Sequence, residues 1–255
     1  MRQIDSFINN LLKYTSMVYV IEKIKNEIRI VIISILTWFL ARFIKEKKKW
    51  IEYYSNISVR QYNTYEEYLK HQKLKLESIS DVNSYLKSYD IKYHQELKRR
   101  LKEEKIIQPG MNVLCLAARI GTEVRSFLDI GCFAVGLDLN PGIENKYVVF
   151  GDFHDIQYPD NCVDVIFSNS IDHTFDINLL IKEIKRVLKP NGFLILEIVK
   201  GTEEEHSPDS YEVITWKKID DLVDKFLKSG FKLVKEKSDF EYPWKGQHVS
   251  LTLNP

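Results

Sequence analysis

Asn112 to Phe153 reads NVLCLAARIGTEVRSFLDIGCFAVGLDLNPGIENKYVVFGDF, and this stretch decides the fold. It opens on Val113-Leu114-Cys115-Leu116, an apolar run of strand length flanked by polar residues. Small residues follow at Ala117, Ala118 and Gly121, and then a helix-like stretch from Thr122 to Asp129. A second apolar run, Cys132 to Leu137, ends on Asp138. Strand, tight turn, helix, strand and acidic residue is the order of a nucleotide-binding βαβ unit. The acid lies 21 positions after Ala117 (138 − 117), close to the offset of about 20 at which such units bond a ribose hydroxyl.

The remainder of the chain is built to fold around this unit. In 255 residues, 44% are hydrophobic and 29% charged, with ten Gly and seven Pro, so a sizeable core is available and global disorder is excluded. A net charge of +1 supplies no overall field toward nucleic acid. Cys115, Cys132 and Cys162 lie in or beside apolar strand-like runs at spacings that fit no zinc site. They read as reduced core residues of a cytoplasmic protein.

Residues 1–60 differ in character from the rest of the chain and read as an apolar and basic helical extension. Ile30 to Ile44 is almost wholly apolar and is followed by Lys45-Glu46-Lys47-Lys48-Lys49. Fifteen helical residues reach about 22 Å, short of a hydrocarbon core of roughly 30 Å. Residues 30–49 therefore suit a buried helix, a protein contact or a membrane-surface contact better than a span. Residues 61–107 read as a tyrosine-rich helical cap, starting at a Thr64-x-x-Glu67 capping box and ending at Pro109-Gly110. The cap either covers an edge of the domain or forms a lid whose tyrosines shape an acceptor pocket.

From Asn112 onward strands and helices alternate, which predicts a mainly parallel sheet with helices on both faces. Strands are expected at Lys146–Phe150, Val163–Phe167 and Phe193–Val199. Helical periods fall at Asp176–Leu188, stopped by Lys189-Pro190-Asn191-Gly192, and at Asp220–Ser229, stopped by Gly230. Phe231–Val234 and His248–Leu253 alternate like a paired antiparallel ribbon.

In these residues the chain, from about Tyr93 to Leu253, resembles the class I S-adenosylmethionine-dependent methyltransferases of the type 11-like group. The resemblance rests on five pieces in order. They are the loop at 113–121, the strand end at Asp138, Gly151-Asp152-Phe153, Ser168-Asn169-Ser170-Ile171-Asp172-His173, and Arg186-Val187-Leu188-Lys189-Pro190-Asn191-Gly192 before a strand. It implies an α/β, Rossmann-like, seven-stranded sheet with an antiparallel last strand, and S-adenosyl-L-methionine as cofactor.

Carried over by position, Leu116, Ala117, Ala118, Arg119 and Gly121 would form the loop at the cofactor's methionine part. Asp138, with Leu139 beside it, would accept the ribose hydroxyls, since an ionised carboxylate offers two oxygens to two donors. Asp152 and Phe153 would face the adenine, and Asn169 and Ser170 the methyl donor. The sequence departs from the family pattern where three glycines and a strand acid are usual: Ala117, Arg119, Gly121 and Cys115 stand there. Arg119 reads either as a clamp on the cofactor's carboxylate or as half of an i, i+4 helical pair with Glu123, worth about 0.2–0.5 kcal/mol.

Methyl transfer is an in-line displacement whose rate depends on alignment, and an oxygen acceptor also benefits from a general base. His173 leads as that base, with Asp172 beside it, and the pair reads alternatively as a helix cap. His154 would flank the adenine pocket and His248 lie in a strand. His206 would reach an acceptor only if its acidic loop folds over the site. No metal site is expected.

The expected function is methyl transfer to a small-molecule or glycan acceptor, more at oxygen than nitrogen, without nucleic acid. The alternative is a catalytically inactive methyltransferase-like scaffold. A nicotinamide-dependent oxidoreductase would need a Gly-x-Gly-x-x-Gly turn, of which only Gly121 survives.

Overall fold

The computed structural model describes residues 50–77, 82–142 and 144–253. The apolar and basic segment 1–49, with its proposed membrane-surface or partner contact, lies outside the described residues. Among the described residues no helix is long and apolar enough to cross a membrane.

Two sheets are present. In the larger, β3 (Asn112–Leu116), β4 (Phe133–Asp138), β5 (Val148–Phe150), β6 (Val163–Ser168) and β7 (Leu188–Val199) run parallel. β11 (Gly246–Leu253) is antiparallel to β7. Two short pieces, β9 (Phe231–Leu233) and β10 (Ser238–Phe240), pair successively with β11. The eight strands therefore fill seven positions in the order β10/β9, β11, β7, β6, β3, β4, β5. This is the expected seven-stranded, mostly parallel sheet with one antiparallel strand. The chain reverses its direction of growth between β3 and β6, and the crevice outside the carboxyl ends at such a switch point is where open α/β sheets bind ligands.

Side chains alternate across the strands, as a period of two requires. Val113, Cys115, Val165, Phe167 and Ile195 belong to one core; it is covered by Tyr93, Leu97 and Leu101 of helix α2 (Val82–Glu103) and by Val124 and Phe127 of helix α3 (Thr122–Leu128). Leu114, Leu116, Ile166, Leu194 and Leu196 belong to the other; it is covered by helices α4 (Ile177–Val187) and α5 (Ile219–Lys228). On α4 the apolar positions 177, 180, 181, 184 and 187 are all buried, and Asp176 caps the helix by accepting from the amides of Asn178 and Leu179. Gly230, at φ 102°, follows the end of α5.

Residues 50–60 correct the sequence reading. They form a β-hairpin, β1 (Trp50–Tyr54) with β2 (Ile57–Arg60), instead of the end of a helical extension. β2 pairs in turn with β8 (Ile214–Trp216), making a second, three-stranded sheet. Ile57, Ile214 and Trp216 join the α4/α5 core. The hairpin thereby ties the start of the described chain to the segment after the loop at 201–213.

The cap contains helix α1 (Tyr65–Glu77) and α2. Thr64 Oγ1 accepts from the amide of Glu67, while the Glu67 carboxylate takes the amide of Asn63 in place of Thr64's own. This shifts the reciprocal bond of a capping box by one residue. Cys115 and Cys132 are buried and all three cysteines are free.

Candidate functional site

The turn after β3 keeps the backbone of a glycine loop without its glycines. Ala117 (φ 54°), Arg119 (φ 38°) and Gly121 (φ 79°) are all left-handed, which costs a non-glycine residue roughly 1–2 kcal/mol. The conformation is held by internal hydrogen bonds. The amide of Ala118 donates to Leu137 O at 3.2 Å, that of Arg119 to Asp138 Oδ2 at 2.8 Å, and that of Gly121 to Ala118 O at 2.6 Å. Asp138 Oδ1 accepts from the amide of Asn140 at 2.6 Å. Asp138 thus clamps the loop as well as facing the crevice. Because Arg119 precedes α3 with a left-handed backbone, the helical pairing geometry with Glu123 does not exist.

Glu123 has a different place. It is buried on the first turn of α3, and its Oε1 accepts from Asn169 Nδ2 at 2.8 Å. Asn169 Nδ2 also donates to Tyr93 Oη at 2.8 Å, and Asn169 Oδ1 accepts from Ser170 Oγ at 2.9 Å. The side chain of Asn169 is therefore fully engaged within the protein. Glu123 Oε2 is buried and has no partner among the described residues. Burial pushes the Glu123 carboxyl up to about 7, against the opposing effects of Asn169 and Arg119.

At the end of β5, Gly151 packs against Leu137, and Asp152 is shared by three donors. Its Oδ1 takes the amide and Nδ1 of His154 at 2.8 and 2.9 Å, and its Oδ2 takes the phenol of Tyr65. His154 Nε2 accepts from the amides of Phe175 and Asp176, so Nδ1 carries the proton that Asp152 receives. Phe153 stacks on His154 with ring centroids 4.6 Å apart.

The 3₁₀ turn Ile171–His173 after β6 carries the remaining titratable groups. His173 Nδ1 donates to Tyr211 O at 3.0 Å, and its Nε2 lies 2.6 Å from Lys75 Nζ and 3.4 Å from Asp172 Oδ2. Burial and the neighbouring Lys75 hold the imidazole near 3, well below its ordinary value, so it is neutral at pH 7. Burial lifts Asp172 to about 6, with Lys75 opposing, and burial also lowers Lys75. His206 Nε2 lies 2.9 Å from Glu212 Oε1, which raises the imidazole above its usual range.

These groups border two adjoining cavities of about 360 and 370 Å³. One is lined by Asp138, Leu139, Asn140, Phe150 and Phe153 under Tyr68, Leu69 and Gln72 of α1. The other is lined by Ala118, Glu123, Asn169 and Asp172, with His206, Asp209 and Glu212 of the loop folded over it and Trp244 at its side. Lys75, Ala117, Arg119, Ser170 and His173 belong to both. Of the residues expected at the site, Leu116, Gly121 and Asp152 do not line either cavity. Leu116 is a core residue, Gly121 shapes the turn, and Asp152 lies behind Tyr65. Sequence reasoning left Lys75, Glu123, Asp209, Glu212 and Trp244 without a place here.

Comparison with known proteins bears on the fold. Residues 114–196 match the family model described as a methyltransferase domain. No curated protein sequence matches. Among solved structures, the chain is similar to the 1,6-didemethyltoxoflavin-N1-methyltransferase of Burkholderia thailandensis, solved with 1,6-didemethyltoxoflavin and S-adenosylhomocysteine. Identity is 13% over 81% of this chain and 100% of that one, with a TM-score of 0.57. A putative methyltransferase of Haloferax volcanii, in complex with the Trm112 activator, is 18% identical over 74% and 98% of the chains, with a TM-score of 0.56. A SAM-dependent methyltransferase from Aquifex aeolicus is 22% identical over 73% and 98%, at 0.51.

Residues 114–196 thus match a methyltransferase domain, and the chain shares the fold of the class I S-adenosylmethionine-dependent methyltransferases. S-adenosyl-L-methionine is the cofactor of that class.

Proposed function

We propose that the protein transfers the methyl group of S-adenosylmethionine to an oxygen of a small-molecule or glycoconjugate acceptor. The observation that carries this reading is the pair of cavities joined at Lys75, Ala117, Arg119, Ser170 and His173. One has the lining for an adenosine and the other has titratable groups for a reacting acceptor.

In this reading Asp138 accepts from the ribose hydroxyls with the lone pairs its two amide bonds leave over, and Leu139 and Phe153 flank the adenosine. The amides of Ala118, Arg119 and Gly121 are already bonded within the protein. A carboxylate at this loop would therefore rely on the Arg119 guanidinium, a five-donor planar fork. Asn169 and Ser170 border the reacting centre. When bound, the cofactor supplies an electrophilic methyl group on a sulfonium.

The acceptor hydroxyl would lose its proton to the Asp172–His173 pair. Asp172, near 6, is the group tuned to hold a proton around neutrality. His173, neutral and fixed by Tyr211 O, orients the acceptor together with Lys75. A carboxyl and a neutral imidazole of this kind suit a hydroxyl acceptor, which is the reason for preferring oxygen.

Titration calorimetry with S-adenosylmethionine and S-adenosylhomocysteine tests the reading. Micromolar binding is expected, lost in Asp138→Ala and weakened tenfold or more, about 1.4 kcal/mol, in Arg119→Ala. The hold of Tyr65 on Asp152 favours one other reading, a catalytically silent scaffold. Absence of binding by the wild-type protein would select it.

A further inference from the structure

Glu123 is a carboxyl in the wall of the cavity that makes no salt bridge among the described residues. Only 7% of the residue is exposed, one oxygen is committed to Asn169, and the other has no partner among the described residues. Leaving such a group unsatisfied is destabilising, and leaving a charge there unpaired is more so. The fold does not require this cost. Asn169 is already held by Tyr93 and Ser170, and a glutamine at 123 would serve it as well.

Every other charged or titratable group facing Glu123 leaves its cationic deficit in place. Arg119 stands across the loop and draws the carboxyl toward ionisation, but it is the cation assigned above to a carboxylate. From β7, Glu197 adds negative charge. Tyr93 on α2 and Cys115 on β3 are pushed upward by burial, so both stay neutral and supply no charge. The wall thus presents an acid and a guanidinium side by side. That is the complement of an α-amino acid, which carries an ammonium and a carboxylate on one carbon.

We propose that Glu123 is the counter-ion of the cofactor's α-ammonium, and that it enters the complex by giving up a proton to solvent. The proposal rests on the S-adenosylmethionine reading of the site and adds to it the residue that recognises the amino group. In the free protein at pH 7 the carboxyl is about half protonated; on binding, ammonium and carboxylate pair inside the wall, and Oε2 gains its missing partner. Affinity for the cofactor is therefore tied to pH through one buried side chain of α3.

The test uses S-adenosylhomocysteine and its deamino analogue, titrated calorimetrically into wild type and Glu123→Gln. Buffers of different ionisation heat count the protons released. Wild type is expected to release about half a proton per S-adenosylhomocysteine at pH 7, and its affinity to fall about 16-fold between pH 7 and 5.5. Glu123→Gln should bind S-adenosylhomocysteine at least tenfold more weakly, with a flat profile and no proton release. Asp172 and His206 remain in the variant, so any proton they contribute would persist there. The deamino analogue should bind both proteins equally.

Equal binding of S-adenosylhomocysteine by the two proteins would overturn the assignment of Glu123 and leave the cofactor reading intact. So would equal discrimination against the deamino analogue. Failure of wild type to bind either compound would overturn both readings. Glu123→Asp, which keeps the carboxylate, is expected to retain proton release, which separates charge from a packing effect.

Discussion

Two of the regions in which the protein buries carboxyl groups treat them in opposite ways. Between β7 and α2, Glu197 accepts from Arg100 Nε at 2.6 Å and lies 3.3 Å from His248 Nδ1. Glu104 lies 3.1 Å from His248 Nε2 and 2.5 Å from Lys235 Nζ. Burial alone would raise both acids, yet these cations hold both below their ordinary values, Glu104 at about 2. In the cavity wall, Glu123 and Asp172 meet too little positive charge, and burial lifts them to about 7 and 6. Glu104, Glu197 and Glu123 are buried alike and Asp172 is half-buried, and the supply of cations differs between the two regions. The first arrangement holds the fold together. The second keeps protons available near neutral pH, which is a property of sites that do chemistry.

Breaking the paired region should have the largest effect. Arg100→Met leaves Glu197 buried with one fewer cation. It should lower unfolding free energy by about 3–5 kcal/mol in urea titrations, whereas Asp172→Asn should leave that quantity unchanged or raise it. The contrast reverses for catalysis. Once an acceptor is in hand, Asp172→Asn should slow methyl transfer by about 10²–10⁴-fold and remove the ascending limb of the rate profile near pH 6.

The pH dependence of melting sharpens the distinction further. Glu104 is depressed, so its contribution is complete above about its ordinary 4.5 and is lost as pH falls toward 2. His248 is raised by Glu104 and Glu197 against the effect of burial. Its contribution is complete below its ordinary 6.5 and is lost as pH rises through its folded value. Asp172 and Glu123 are raised acids: the stability their protonation provides is complete below their ordinary 3.8 and 4.5 and is lost as pH rises to about 6 and about 7. Melting temperature should therefore fall between about pH 4.5 and 7, and fall less in Asp172→Asn and Glu123→Gln. The smallest effect is expected at the roof. Tyr65→Phe should cost about 0.5–1.5 kcal/mol and leave S-adenosylhomocysteine binding at least as tight, since Asp152 is released.

The floor of the cavity was legible in the sequence because it is written locally. A strand, its turn and the acid closing the next strand lie within one stretch, and period-two and period-3.6 patterns mark each element. The roof was not legible. Tyr65 reaches Asp152 across 87 positions and Lys75 reaches His173 across 98, and no local pattern encodes either meeting. The hairpin at 50–60 escaped for the same reason, its outer partner β8 being more than 150 residues away. Glu123 was misplaced by a spacing rule that holds within helices. The left-handed Arg119 ends the helix before the rule applies.

The turn after β3 also shows which glycines of such a loop a chain is able to lose. A Cβ at Gly121 would stand 2.7 Å from Tyr147 Cβ and 3.2 Å from Val148 Cγ2, so that position is closed to any side chain. At 117 and 119 side chains are present, and the obstacle is backbone strain alone. The strain is only partly offset by the smaller freedom a non-glycine residue has in the unfolded chain, a gain of about 0.4–1 kcal/mol. Alanine in place of glycine at 117 then carries a net cost of about 1 kcal/mol that the fold tolerates, while at 121 the exchange is forbidden by contact. A fingerprint written in glycines fades first where nothing stands close to it.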